Sequence, residues 1–158
     1  MKAGGVMTSN KKRVFFFLIA SIFAGAIAQA GTLTPTYRSA ITPGGATGGL
    51  GTIKAGASSV TITPTSMLAI SDSATTESVA TITWTPSVPM NVTLTFKYQI
   101  TGPGSCFVIW GADWFSGKFE YTDGTVKTFT QTFDVTDQIF ISVTSKSGSV
   151  SINDISIP

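Results

Sequence analysis

The sequence predicts an all-β domain, a two-sheet antiparallel β-sandwich or jelly roll, from three observations. Residues 92–100 alternate between apolar side chains and Thr, Lys or Gln, which is typical of a strand with one buried face. About eight such segments follow one another at 8 to 12 residue intervals after residue 57, the spacing of sandwich and jelly-roll strands. No stretch beyond residue 30 keeps a helical period for three turns.

Residues 1–30 have the pattern of an export signal that is cleaved before Gly31. The basic residues 11–13 precede an apolar run over residues 14–28, and small residues flank Gln29. A transmembrane anchor is the alternative, but about 15 apolar or small residues fall short of the ~20 that cross a bilayer. We therefore expect a secreted protein or one on the extracellular surface, with no membrane span after cleavage.

Cleavage also changes the charge balance, because four of the ten basic residues lie in the signal. Six basic residues then face all eight acidic ones, so the remaining chain has a net charge of −2. A nucleic-acid-binding domain carries a basic stripe. We expect no nucleic-acid partner.

Composition excludes several kinds of chemistry. The chain has no histidine, which excludes a Ser-His-Asp hydrolase and a His-ligated metal site. The single cysteine, Cys106, cannot form an intrachain disulfide and is expected to be buried as a small hydrophobe. Asp113 and Glu120 are candidates for a glycosidase pair, but carboxylates beside turns are usually solvated. We therefore expect a non-enzymatic protein with no catalytic residue, cofactor or metal.

Residues 31–56 consist mainly of Gly, Thr, Ala and Pro, with too few large apolar side chains to form a core of their own. We expect this segment to be either a flexible leader or an extended arm that becomes ordered only against another surface. Leu33, Pro35 and Tyr37 have the alternate spacing of a donated strand, with threonines between them. The β-sandwich domain is accordingly predicted over residues 57–158.

Within that domain, alternation predicts further strands around Ile82, Phe129 and Ile141. Residues 102–104 (Gly-Pro-Gly) end the long strand that begins at residue 92. Residues 123–124 (Asp-Gly) are the preferred dipeptide of a two-residue hairpin, and residues 147–148 (Ser-Gly) are expected to turn the last hairpin. The predicted core residues are Ile82, Trp84, Leu94, Phe96, Tyr98, Ile141 and Val143.

The last strand changes parity, since Val150 and Ile152 share one face while Ile155 and Ile157 fall on the other. A β-bulge at residues 153–154 (Asn-Asp) is predicted to reset the register.

With this ending, residues 92–158 resemble the carbohydrate-binding-module type of β-sandwich, also called galactose-binding-like. The resemblance rests on the strands at residues 92–98, 128–133 and 150–157, and it implies a secreted jelly roll. Many relatives carry an acid directly after the first isoleucine of the last strand, where it helps to bind a structural calcium ion. Asn153 takes that position here and leaves Asp154 as the only acid, so no metal is expected.

Aromatic residues crowd the segment from residue 107 to residue 121, with carboxylates and lysines between them. Exposed rings with a few polar neighbours are typical of a glycan platform, whereas buried rings fill the core of a small sandwich. Core packing is expected for most of these rings, with Trp114 and Tyr121 as the exceptions. The candidate ligand-binding residues are Trp110, Asp113, Trp114 and Tyr121.

Two functions remain open for such a chain. The first is a structural or adhesive surface protein, a filament subunit that assembles as a homo-oligomer or polymer by exchange of its N-terminal arm. The alternative is a glycan-binding module that uses exposed aromatic residues. Residues 91–93 (Asn-Val-Thr) also match the N-glycosylation sequon.

Overall fold

The computed structural model describes residues 30–120 and 123–158, and every regular element in these residues is a β-strand. In chain order the strands are β1 (Leu33–Thr42), β2 (Ala46–Gly48), β3 (Gly51–Ala55), β4 (Ser58–Thr63), β5 (Ser66–Ser71), β6 (Glu77–Pro86), β7 (Met90–Thr101), β8 (Phe107–Ala112), β9 (Phe115–Glu120), β10 (Lys127–Val135), β11 (Ile139–Ser145) and β12 (Gly148–Ser156).

The strands form two six-stranded antiparallel sheets that pack face to face, which confirms the predicted sandwich. One sheet has the order β2-β1-β6-β11-β8-β9, and the other has the order β10-β7-β12-β5-β4-β3. The edge strands β9 and β10 therefore lie along one side of the sandwich, and β2 and β3 along the opposite side. Within the described part of the chain, no helix has the length and hydropathy that a bilayer crossing requires. The predicted export signal lies almost entirely outside the described residues.

The first strand belongs to the sandwich itself. β1 pairs with β6 over its whole length, from Leu33 opposite Pro86 to Thr42 opposite Glu77, and β3 is the edge strand beside β4. The segment that we expected to be a leader or arm is thus ordered against the sheets of its own chain. Although it lacks a core of its own, Ile41 is completely buried in the shared one. In the structure the sandwich begins at residue 33, whereas the sequence predicted a start at residue 57.

A single apolar core fills the space between the sheets. Six of the seven predicted core residues are buried, and Tyr98 is half-buried against the core. Cys106 is also buried, at 3% exposure, as predicted. Phe96 is the largest completely buried side chain. Side chains of a β-strand alternate between the two faces of its sheet, so a slip of one residue would move these buried side chains to the solvent face. The buried residues therefore fix the register of both sheets.

The connections agree only in part with the sequence prediction. Residues 123–124 do not form a hairpin, because β9 and β10 belong to different sheets. Asp123 instead accepts hydrogen bonds from the N–H and hydroxyl of Thr125, which help to hold the Asp123 pKa at about 2. Residues 147–148 likewise join strands of different sheets. The predicted bulge is confirmed, since the register of β12 shifts after Asn153 and Asp154 has a φ of 55°.

Candidate functional site

The candidate site is built around the tip of the β8–β9 hairpin. Ala112 pairs with Phe115, which leaves Asp113 and Trp114 as a two-residue turn. Asp113 takes a φ of 49°, a left-handed conformation that Asp tolerates better than most residues. Trp114 projects from this turn with 93% of its surface exposed. A tryptophan with so little contact to its own chain is unusual, because the indole is large and apolar.

Asp113 fixes the turn to the neighbouring β10–β11 connection. Its carboxylate accepts hydrogen bonds from the backbone N–H groups of Thr136, Asp137 and Gln138, at 2.9, 2.8 and 2.9 Å. In return, the Asp113 N–H donates to the Gln138 carbonyl over 2.8 Å. The bond from Gln138 contributes most to lowering the Asp113 pKa, and the other two add to the effect, while partial burial opposes it. Asp113 is therefore a positioning residue for Trp114.

A cavity of about 270 Å³ lies beside the turn, along the side of the sandwich where the edges of β9 and β10 meet. Phe115, at 42% exposure, and Phe133 supply apolar surface, while Gln131, Thr132 and Asp134 supply polar groups. Apolar surface with a few polar groups is the usual composition of a small-ligand site.

Trp110 occupies the core and contributes nothing to this surface. It shares the inward parity of β8 with Val108 and Ala112, and it is only 8% exposed. Its indole packs on Phe129 with ring centroids 4.3 Å apart, and a Cβ on Gly117 would overlap it. Within the described residues, the Trp110 Nε1–H has no hydrogen-bond partner. Trp110 therefore needs correction as a candidate ligand-binding residue, whereas its burial agrees with the core packing expected for most of the aromatic rings in residues 107–121.

The structure thus brings together two of the four predicted ligand-binding residues, Asp113 and Trp114. Tyr121 lies outside the described residues. Phe115, Gln131 and Asp134 also line the cavity, and none of the three was a candidate site residue from the sequence. The signal that could have identified them is weak, because β9 and β10 are edge strands of different sheets and pairing patterns do not link them.

The predicted arm residues lie on β1. Leu33 and Tyr37 are half-buried against the core, whereas Pro35 is exposed. Thr34 and Thr36 face outward, as the alternation predicts.

Asp113 and Glu120 do not form a catalytic pair. Asp113 lies in the turn before β9 and Glu120 is the last residue of β9. A strand rise of ~3.3 Å per residue separates them by roughly 20 Å, whereas glycosidase carboxylates are separated by roughly 5–10 Å. Glu120 pairs with Lys118, and Asp154 pairs with Lys97 over 2.8 Å. No group of three or more potential metal ligands occurs in residues 30–120 and 123–158.

Neither a known protein-family model nor a curated protein matches the chain. Several solved structures are similar in fold. A module described as CBM4 is 13% identical, with 66% of this chain and 76% of that one covered at a TM-score of 0.41. TmCBM61, solved with β-1,4-galactotriose, is 12% identical, with 77% and 87% covered at a TM-score of 0.44.

The extra C-terminal domain of an exo-1,3/1,4-β-glucanase from a Pseudoalteromonas species is 11% identical, with 78% of this chain and 85% of that one covered at a TM-score of 0.46. Carbohydrate-binding modules thus occur among the similar folds, as the resemblance of residues 92–158 predicts. At these identities and TM-scores the likeness concerns the fold alone and assigns no ligand to this chain.

Proposed function

We propose that the domain is a non-enzymatic glycan-binding module whose ligand stacks on Trp114. The observation that carries the proposal is the indole itself, which is almost fully exposed on a turn that Asp113 holds in place. Sugar rings have apolar C–H faces that pack on such a ring, and their hydroxyl groups need polar partners nearby. Gln131, Thr132 and Asp134 supply those partners beside the indole.

The rigid turn supports the proposal on energetic grounds. Binding loses affinity when a loop has to become ordered around its ligand, and a pre-formed turn avoids that cost. Three backbone hydrogen bonds to Asp113 and a two-residue hairpin leave the backbone of Trp114 little freedom. Extracellular location is part of the proposal, because glycans of cell surfaces and matrices are met outside the cell.

The geometry favours this function over the filament subunit. The strand that would be donated is β1, which is already paired with β6 of its own chain. Assembly would therefore require β1 to leave β6 first and give up pairing along ten residues. The glycan site needs no such rearrangement, because Trp114 is already exposed.

A glycan array probed with the full chain and two variants tests the proposed function. Trp114→Ala should lower binding at least tenfold, because it removes the stacking surface. Leu50→Ala is the matched control, since Leu50 is another exposed apolar residue but lies at the β2–β3 side of the sandwich. Equal binding by Trp114→Ala and the unaltered chain, or no glycan bound by either, would overturn the proposal.

A further inference from the structure

The cavity beside Trp114 has a neighbour at the same end of the sandwich. This second cavity also measures about 270 Å³. Its lining residues are Pro89, Met90, Asn91, Asp134, Val135 and Thr136. Asp134 borders both cavities, and β7 places Asn91 directly opposite it. The Asn91 amide donates a hydrogen bond to the Asp134 carboxylate over 2.9 Å, so one polar pair stands between two adjacent cavities.

We propose that the second cavity is a further subsite of the same groove, and that the ligand is a linear, uncharged oligosaccharide of at least two sugar units. The inference rests on the proposed function, because it takes the first ring to stack on Trp114. The second ring then lies over Met90, with Asn91 and Asp134 facing the linkage and the hydroxyl groups beside it.

The composition of the second cavity repeats that of the first. Pro89 and Met90 supply apolar surface, and the flexible, polarisable Met90 side chain suits an irregular apolar ligand face. Asn91 and Thr136 supply polar groups, and an amide both donates and accepts hydrogen bonds. Each cavity is slightly smaller than the ~300 Å³ at which drug-sized pockets begin, so each matches a single small ring.

The distribution of charge argues that the ligand is uncharged. Four lysines of the domain are paired with acids, and these pairs are Lys97–Asp154, Lys118–Glu120, Lys127–Asp123 and Lys146–Glu77. Three of the four other acids, Asp113, Asp134 and Asp137, lie at the end of the sandwich that carries Trp114. Within the described residues, none of these three carboxylates forms an ion pair with a basic side chain. A uronic acid or sulfated sugar would meet like charge there.

NMR titration of the full chain separates the two subsites. The probes are galactose, β-1,4-galactobiose and β-1,4-galactotriose, with glucose, cellobiose and cellotriose as a second series. All six should shift the Trp114 indole N–H signal, whereas only the di- and trisaccharides should shift the Met90 methyl signal. The disaccharide should bind at least tenfold more tightly than its monosaccharide. The protein is produced in a host without N-glycosylation, because Asn91 lies in a sequon.

A cavity-filling variant tests the same point through affinity. Thr136→Leu adds bulk to the second cavity while keeping the backbone N–H that donates to Asp113. It should reduce the ratio of disaccharide to monosaccharide affinity to below threefold. Thr128→Leu, at the other end of β10, is the matched control and should change neither affinity.

The outcomes distinguish the inference from the proposed function. A Trp114 signal that moves while the Met90 methyl stays fixed with every probe would overturn the second subsite alone. A Trp114 signal that no sugar moves would overturn the proposed function and the subsite with it. Binding of α-1,4-digalacturonate as tight as that of galactobiose would overturn the assignment of an uncharged ligand.

Discussion

Asp113 shows how one side chain prepares the surface that another presents. It was predicted as a ligand-binding residue, yet both of its carboxylate oxygens already accept backbone hydrogen bonds. Residue type and position among the aromatic residues identified Asp113 as a candidate site residue. They could not reveal the acceptor role, because the donors are Thr136, Asp137 and Gln138, more than twenty residues further along the chain.

Replacing Asp113 by Asn should destabilise the fold by about 1–2 kcal/mol at neutral pH, because an amide lacks the charge that strengthens these bonds. The folded-state pKa of Asp113 lies below its ordinary value of 3.8. Its stabilisation is therefore fully present above that ordinary value and is lost as the pH falls through the lower folded-state pKa. Urea unfolding at a series of pH values should show the two proteins converging in acid. A stability gap that stays constant to about pH 2 would contradict this role.

The alternation of side chains along a strand explains which aromatic residues could be assigned to the core from the sequence. Trp84, Leu94 and Phe96 alternate with threonines, so their burial followed from period 2 alone. Trp110 has the same inward parity as Val108 in β8, and its burial agrees with the core packing expected for most of the aromatic rings in residues 107–121. The place of Trp110 among the candidate ligand-binding residues is the part of the prediction that the structure corrects.

At the scale of elements, β1 shows how a segment without a core of its own acquires one. Its composition predicted independence from the sandwich, because composition measures only what a segment can bury by itself. The two sheets supply the missing partner surface, and Leu33 and Tyr37 face the core while Pro35 is exposed. The edge beside β6 is therefore filled within one chain, which no local pattern encodes.

The substitution Tyr37→Asp tests whether β1 belongs to the fold of its own chain or is donated to another copy. Tyr37 packs against the core, so an aspartate there should lower the free energy of unfolding of the single chain by about 1–3 kcal/mol. Thr36→Asp, on the outward face of the same strand, is the control and should change stability by less than about 0.5 kcal/mol. Denaturant unfolding measures the free energy of unfolding, and light scattering measures whether polymers form. A monomer of unchanged stability combined with lost polymers would favour strand donation instead.

At the scale of the molecule, the sequence predicted the class of fold and missed which strands meet along one side. Hairpins are local, so β8–β9 and β4–β5 follow from short-range pairing. The connections from β2 to β3 and from β9 to β10 cross between sheets, and an Asp-Gly dipeptide is equally suited to either kind of turn. The candidate groove lies where the β8–β9 hairpin meets the end of β10 and the β10–β11 connection, which also crosses between the sheets. Its second wall therefore could not be derived from the chain order.

The lysine ion pairs have a consequence for kinetics. With four of the domain's lysines matched to acids, the surface offers little long-range attraction to an incoming anion. Raising the salt concentration from about 0.01 M to about 1 M shortens the Debye length from about 30 Å to about 3 Å, yet an uncharged ligand encounters no steering that this could remove. Stopped-flow tryptophan fluorescence should therefore give an association rate constant that varies by less than about twofold over that range. A tenfold fall would mean that charge guides the encounter and that the partner of Trp114 is a cation.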